Sequence, residues 1–175
     1  MMSFTTCHFC QTPTFVPEVA CAACHRILPP FECDIFVTFH MPLAVEIDRK
    51  AMDQVYFSYQ RLLHPDKMVN REETEQNFAI QHLGRINNAY KDLQSVLKRL
   101  RFLYTALTRQ KIPDSPPSMD FLQKVLAMQE NPGHNSAVIT IEKQNLMEKI
   151  KKSLSDQNYD ELLSCIGQLT YLDKF

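Results

Sequence analysis

Glycine is scarce. The 175 residues hold three, Gly84, Gly133 and Gly167, and none lies in a cluster that could turn the backbone tightly around a phosphate. That excludes a P-loop or a dinucleotide fingerprint, and with them a nucleotide-binding enzyme of the usual kinds. Neither Asn-Gly nor Asp-Gly occurs, so a hairpin-built β fold lacks its turns and a mostly helical chain is expected. Charge of one sign is missing as well. With 19 basic and 20 acidic residues the net charge is −1, and no global field gathers nucleic acid or an anionic membrane. No run of about 18 apolar residues is available to span a bilayer. Residues 1–6 carry neither a basic n-region nor an apolar h-region, so neither a secretory signal nor an Arg-rich presequence is expected.

What the chain does have begins with cysteine. Four of the six stand as Cys7-His8-Phe9-Cys10 and Cys21-Ala22-Ala23-Cys24. Two residues between thiolates let a knuckle turn bring both sulfurs onto one ion, and two knuckles complete a closed tetrahedral Cys₄ site. One structural zinc is expected at Cys7, Cys10, Cys21 and Cys24, supplying stability to a segment with too few apolar residues for its own core. His8 and His25 are alternative ligands, and an iron-sulfur cluster fits the same four thiolates. A redox dithiol would need a βαβ context, which is absent. Cys33 and Cys165 read as small buried hydrophobes. Arg26 is the sole Lys or Arg among the first thirty residues, too little basic character for a nucleic-acid module.

Beyond Pro29-Pro30, a short helix is expected between Asp34 and Phe39. Asp48 then suits an N-cap, and Met52, Val55, Tyr56, Tyr59, Leu62 and Leu63 recur at three- and four-residue steps, with Lys50, Gln54, Ser58 and Arg61 on the opposite face. Pro65 ends this helix at about Leu63. Asn70 and Glu73 resemble a capping box for a second helix carrying Phe78, Leu83, Ile86, Ala89, Tyr90 and Leu93. The short connection makes the two helices antiparallel neighbours. Gly84 within the second is read as a site of close packing. A further helix carries Leu97, Leu100, Leu103, Tyr104 and Leu107. Ile112 to Ser118, with three prolines, is a linker. Three more helical patterns follow, over about 119 to 130 (stopped by Asn131-Pro132-Gly133), 138 to 154 and 159 to 172, the last capped by Asn158. Phe121, Val125 and Met128 form a stripe on the first of these, and Leu122 and Leu126 lie about 100° around from it.

His64-Pro65-Asp66-Lys67 sits where the first long helix turns into the second. No Ser or Cys nucleophile and no substrate-cradling motif accompanies His64 and Asp66, so catalysis is not expected. Recognition suits the loop better: proline stiffens it, Asp66 offers an acceptor-only charge, and the neighbouring helix face is basic.

The tripeptide between two antiparallel helices, the first with a basic face, resembles the J-domain. That module docks to heat-shock protein 70 (DnaK-type) chaperones and stimulates their ATPase. The likeness narrows to the iron-sulfur cluster co-chaperones of the HscB type through Phe39 to Pro42, Tyr59-Gln60, Ile86-Asn87-Asn88-Ala89-Tyr90-Lys91-Asp92-Leu93, Arg101 with Tyr104 and Leu107, Phe121-Leu122, and Leu169-Thr170-Tyr171-Leu172-Asp173-Lys174. The double Cys-x-x-Cys followed by Leu28-Pro29-Pro30 is similar to the metal-binding module of some eukaryotic members.

The resemblance implies a mostly α fold: a zinc-knuckle module over 1–30, a helical-hairpin J-domain over 31–111, a linker over 112–118, and a three-helix, scaffold-binding domain over 119–175. It implies a non-enzymatic co-chaperone for iron-sulfur cluster assembly. His64, Pro65 and Asp66 would meet the chaperone, with Lys50, Arg61 and Lys67 assisting. Leu122, Leu126, Glu130 and Tyr171 would hold the cluster scaffold protein, and Leu122 and Leu126 are accordingly expected to be exposed. Gln123 and Ala127 depart from the family, which places an apolar and an acidic residue there. A general J-protein that delivers unfolded clients is the alternative. No nucleic acid or membrane is implied as a partner, and a homodimer stays open. The compartment implied is the mitochondrial matrix or a mitochondrion-related organelle, with the cytoplasm as alternative.

Overall fold

The computed structural model describes residues 4–113, 117–129 and 135–174. Asp114-Ser115-Pro116 of the linker, the Asn131-Pro132-Gly133 stop, Glu130 and the Met128 side chain lie outside the described residues. The chain divides into two compact units, Met1–Ser95 and Val96–Phe175.

In the first unit the cysteine segment forms two short strands, β1 (Phe4–Thr6) and β2 (Pro13–Phe15), paired antiparallel. Helix α1 (Ile35–Thr38) is capped by Asp34, whose carboxylate accepts from the Val37 amide at 2.8 Å. Helix α2 (Arg49–Leu62) is capped by Asp48, which accepts from the Lys50 and Ala51 amides. Both follow the expected rule that a short polar side chain satisfies the orphan N–H groups of a first turn.

After α2 the chain makes one turn of helix, α3 (Pro65–Met68), before α4 (Glu73–Gln94). The connection is therefore not a plain loop, because proline at the first helical position is pre-set for helix rather than against it. Asn70 does not cap α4. Glu72 occupies that position without a side-chain cap bond.

The helix pairs Asp53–Tyr90, Tyr56–Asn87 and Gln60–Asn87 run in opposite chain directions, so α2 and α4 are antiparallel. Asn87 Oδ1 accepts from both the Tyr56 hydroxyl at 3.0 Å and the Gln60 amide at 2.9 Å, clamping the hairpin. The face of α4 that is fully buried comprises Glu75, Ala79, His82, Ile86, Ala89 and Leu93. Phe78, Leu83 and Tyr90 are half-buried beside it. Leu62, placed in the buried stripe of α2 by periodicity, is exposed at the helix end. Gly84 marks no close packing, since a Cβ there would meet nothing within 4 Å.

In the second unit α5 (Val96–Thr108) and α7 (Asn135–Ser155) pack on α8 (Tyr159–Leu172), and α6 (Met119–Gln129) packs on α7. Asn158 caps α8 by accepting from the Glu161 amide. Phe121, Val125, Leu146, Ile150, Leu162, Ile166, Leu169 and Leu172 supply much of the core. Among the described residues no helix is long and apolar enough to cross a membrane.

Candidate functional site

The two cysteine pairs fold as near copies. In the first knuckle the Gln11 amide donates to the Cys7 carbonyl and the Cys7 amide to the Thr12 carbonyl. In the second His25 donates to Cys21 and Cys21 to Arg26, all four at 2.8 to 3.0 Å. Gln11 and His25 sit at matching left-handed positions, φ 60° and 59°. The repeated turn brings all four sulfurs within 4.8 Å of one another. Across the knuckles, Cys7 and Cys24 Sγ stand 3.7 Å apart and Cys10 and Cys21 Sγ 3.6 Å.

A tetrahedral ion with metal–sulfur bonds of about 2.3 Å sets its ligand sulfurs about 3.8 Å apart. The four cysteines therefore fit one ion. A multi-iron cluster interposes its own iron and sulfide atoms and holds its thiolates wider. The Phe9 amide points to Cys7 Sγ at 3.4 Å, as suits a thiolate acceptor. Thr12, through its hydroxyl and its main chain, pulls the Cys10 thiol down to about 6. His8 and His25 are exposed beside the knuckles and are not among the four clustered ligands.

The module is fastened to α4 through a carboxylate and an imidazole that periodicity did not single out. Glu75, 2% exposed, accepts from Arg26 Nε at 3.1 Å, the Ile27 amide at 3.0 Å and Arg71 at 3.2 Å. Arg26 also pairs with Glu72, and its guanidinium lies 3.7 Å over the Phe9 ring. Two helical turns on, His82 Nε2 donates to the Leu28 carbonyl at 2.9 Å. Burial pushes the His82 imidazole below its ordinary range. Arg85 reaches the Phe31 carbonyl. The signal was present in the sequence: 75, 79, 82, 86, 89 and 93 alternate steps of four and three, the spacing of one helix face.

At the far end of α2, His64 caps α3. Its Nδ1 accepts from the Asp66 amide at 3.3 Å. The Asp66 carboxylate lies 3.6 Å from the same Nδ1, with the two side chains 56% and 89% exposed. The turn thus gathers His64, Pro65, Asp66 and Lys67, all exposed. Arg61 lies about one turn back along α2 and Lys50 at its opposite end, both also exposed.

In the second unit Leu126 is exposed, as expected for a contact surface, and Leu122 is half-buried. Leu122 and Tyr171 line one groove of about 700 Å³ with Arg101, Ile112, Pro113 and Ile166. Tyr171 is held edge-on by Phe121, their ring centroids 6.5 Å apart. Gln123 and Ala127 are exposed on the same helix as Leu126. Cys165 is buried, and Cys33 is half-buried with its sulfur 3.1 Å from the Thr38 hydroxyl.

No family model matches the chain. Over 167 residues it is 23% identical to the iron-sulfur cluster co-chaperone protein HscB homolog of Arabidopsis thaliana, covering 88% of this chain and 66% of that protein. Over 117 residues it is 30% identical to the iron-sulfur cluster co-chaperone protein HscB of Mus musculus, covering 65% of this chain and 50% of that protein. These matches span between half and two thirds of the relatives' own length. Among solved structures, the crystal structure of human co-chaperone protein HscB superposes with a TM-score of 0.85 at 20% identity, covering 97% of this chain and 94% of that one. Chaperone HscB from Vibrio cholerae gives 0.70 at 19% identity, covering 81% and 92%.

Proposed function

We propose that the chain, similar to HscB co-chaperones in sequence and in fold, acts as a J-type co-chaperone in iron-sulfur cluster assembly. Its partners are a heat-shock protein 70 (DnaK-type) chaperone, whose ATPase it stimulates, and the scaffold on which the cluster is built. The observation that carries this is the exposed turn at His64, Pro65 and Asp66, capped from within and set at the end of a helix whose outer face shows Lys50 and Arg61. Such a tip is ordered before it binds, so docking costs little conformational entropy. Lys67 adds charge of the same sign.

Stimulation follows from population shift. Docking favours the chaperone conformation that hydrolyses ATP and grips its client, so the co-chaperone must bind that state more tightly than the other. Leu122, Leu126, Tyr171 and Glu130 serve to present the scaffold. The four cysteines hold one zinc that organises the amino-terminal module. The working compartment is the mitochondrial matrix or a mitochondrion-related organelle.

The test is chaperone ATPase turnover with this chain alone, with the scaffold added, and with Asp66→Ala. Stimulation by the wild type, lost in the variant and raised further by scaffold, is the expected result. Absence of any stimulation would sink the J-domain reading. Stimulation with no scaffold binding would favour a general J-protein.

A further inference from the structure

The outward face of α2 is not only basic. Phe57, 54% exposed, belongs to the same stripe as the cations. At about 100° per residue it lies about 20° from Lys50 and about 40° from Arg61, with Gln54 and Ser58 farther round on the same side. All of these side chains are exposed. Exposed apolar side chains are ordinary; what sets Phe57 apart is that it borders the stripe that carries Lys50 and Arg61.

The ring is also held. It meets Tyr56 edge-on with centroids 5.6 Å apart, and Tyr56 stacks on Tyr90 at 4.0 Å with an interplanar angle of 18°. The two tyrosines of this ladder are pinned in turn, Tyr56 by its bond to Asn87 and Tyr90 by its 2.7 Å bond to Asp53. Asp53, about 40° from Phe57 on the side away from Lys50 and Arg61, accepts from the tyrosine hydroxyl and keeps its charge, so the two cations outnumber the one carboxylate beside the ring. An aromatic fixed in advance beside charged groups suits an interface anchor, because little rotamer entropy is lost on docking.

We propose that Phe57 is the apolar anchor of the chaperone-facing surface, and that the partner surface it fits is an acidic one with a hollow about one aromatic ring wide. Charge complementarity selects this occupant. Lys50 and Arg61 disfavour a second copy of the same cationic face and match carboxylates around the hollow. The inference rests on the chaperone-docking reading. The two cations steer the encounter and the tip at Asp66 triggers hydrolysis, while Phe57 sets how long the complex lasts.

The experiment titrates single-turnover chaperone ATPase with the full chain as wild type, Phe57→Ala, Phe57→Leu and Asp66→Ala. Phe57→Ala should raise the concentration for half-maximal stimulation about tenfold or more while leaving the maximum in place. Phe57→Leu should recover part of the loss, and thermal unfolding should be unchanged because the ring is exposed. Asp66→Ala should instead lower the maximum. A half-maximal concentration for Phe57→Ala within twofold of wild type, with Asp66→Ala still defective, overturns the anchor and leaves the docking reading standing. A silent Asp66→Ala removes both. A change in oligomeric state on Phe57→Ala, with stimulation intact, would give the ring to a second copy and overturn the proposal.

Discussion

Glu75 and Arg26, 49 residues apart in sequence, meet at 3.1 Å, and through that pair the cysteine module is fixed to the hairpin helix α4. The carboxylate is the more committed partner, with a side chain 3% exposed against 26% for the arginine. Removing it leaves the Ile27 amide without its acceptor and takes one of two partners from Arg26 and from Arg71, which keep Glu72 and the His25 carbonyl. Glu75→Ala should therefore lower stability by about 2 to 3 kcal/mol. Glu75→Gln, which keeps an acceptor for the Ile27 amide, should cost less. Urea unfolding of the three proteins gives the comparison, and equal midpoints would mean the module is held by something else.

His82 makes the same junction acid-sensitive. Its imidazole is buried neutral, donating to Leu28, and desolvation lowers its folded pKa below the ordinary 6.5, with the nearby Arg85 adding to the effect. For a depressed histidine the unfolded chain takes up a proton that the native chain refuses. The stability it contributes is thus intact above about 6.5 and is lost as pH falls through that value toward the lower folded one. His82→Gln should flatten the fall in urea midpoint between pH 7 and pH 5. An unchanged slope in the variant would show that other groups govern it.

The helices were legible because apolar residues repeat at helical steps, and Asp34, Asp48 and Asn158 mark starts with side chains that cap them. The metal site was legible because two Cys-x-x-Cys pairs leave few geometric choices. What escaped was set by partners remote in sequence. A glutamate and a histidine on a helix read as surface until the backbone of residues 27 and 28 is laid against them. The turn α3 escaped because Pro65, which stops one helix, also starts the next. Leu62 was misplaced because a helix end, unlike its middle, can leave a correctly phased leucine in solvent.

Gly84 offers a gain rather than a loss. It lies inside α4 with open space where a Cβ would stand. Replacing it by alanine narrows the unfolded ensemble and adds helix propensity without a clash, so Gly84→Ala should stabilise the protein by about 0.5 to 1 kcal/mol. A raised urea midpoint with unaltered slope is expected. A lowered midpoint would reveal a contact that the open space around this position denies.

The cysteine module should depend on its ion more than on its own packing. Its buried cluster consists of Cys7, Cys21 and Leu28, with Phe9 and Cys24 partly buried, so the ligands are most of the core. One zinc per chain is expected by native mass spectrometry, lost on Cys10→Ser or Cys21→Ser. Thiol protons compete with the ion, so occupancy should fall as pH falls. Cys24, although the Arg26 main chain favours its thiolate, is pushed up to about 12 by desolvation and the neighbouring thiols. A visible iron-sulfur chromophore would overturn the zinc assignment.

Val125 and Leu126 are neighbours with opposite roles on α6. Val125 is 1% exposed and Leu126 54%. Val125→Ala opens a cavity in the second unit and should cost about 2 kcal/mol. Leu126→Ala removes a solvated side chain and should change stability by less than about 0.5 kcal/mol. If Leu126 serves the scaffold, the order of effects reverses in binding. Leu126→Ala should weaken scaffold affinity by about tenfold in calorimetry, and Val125→Ala should weaken it only to the extent that the helix loosens. Equal affinity for wild type and Leu126→Ala would move the scaffold surface elsewhere, the groove at Leu122 and Tyr171 being the next place to probe.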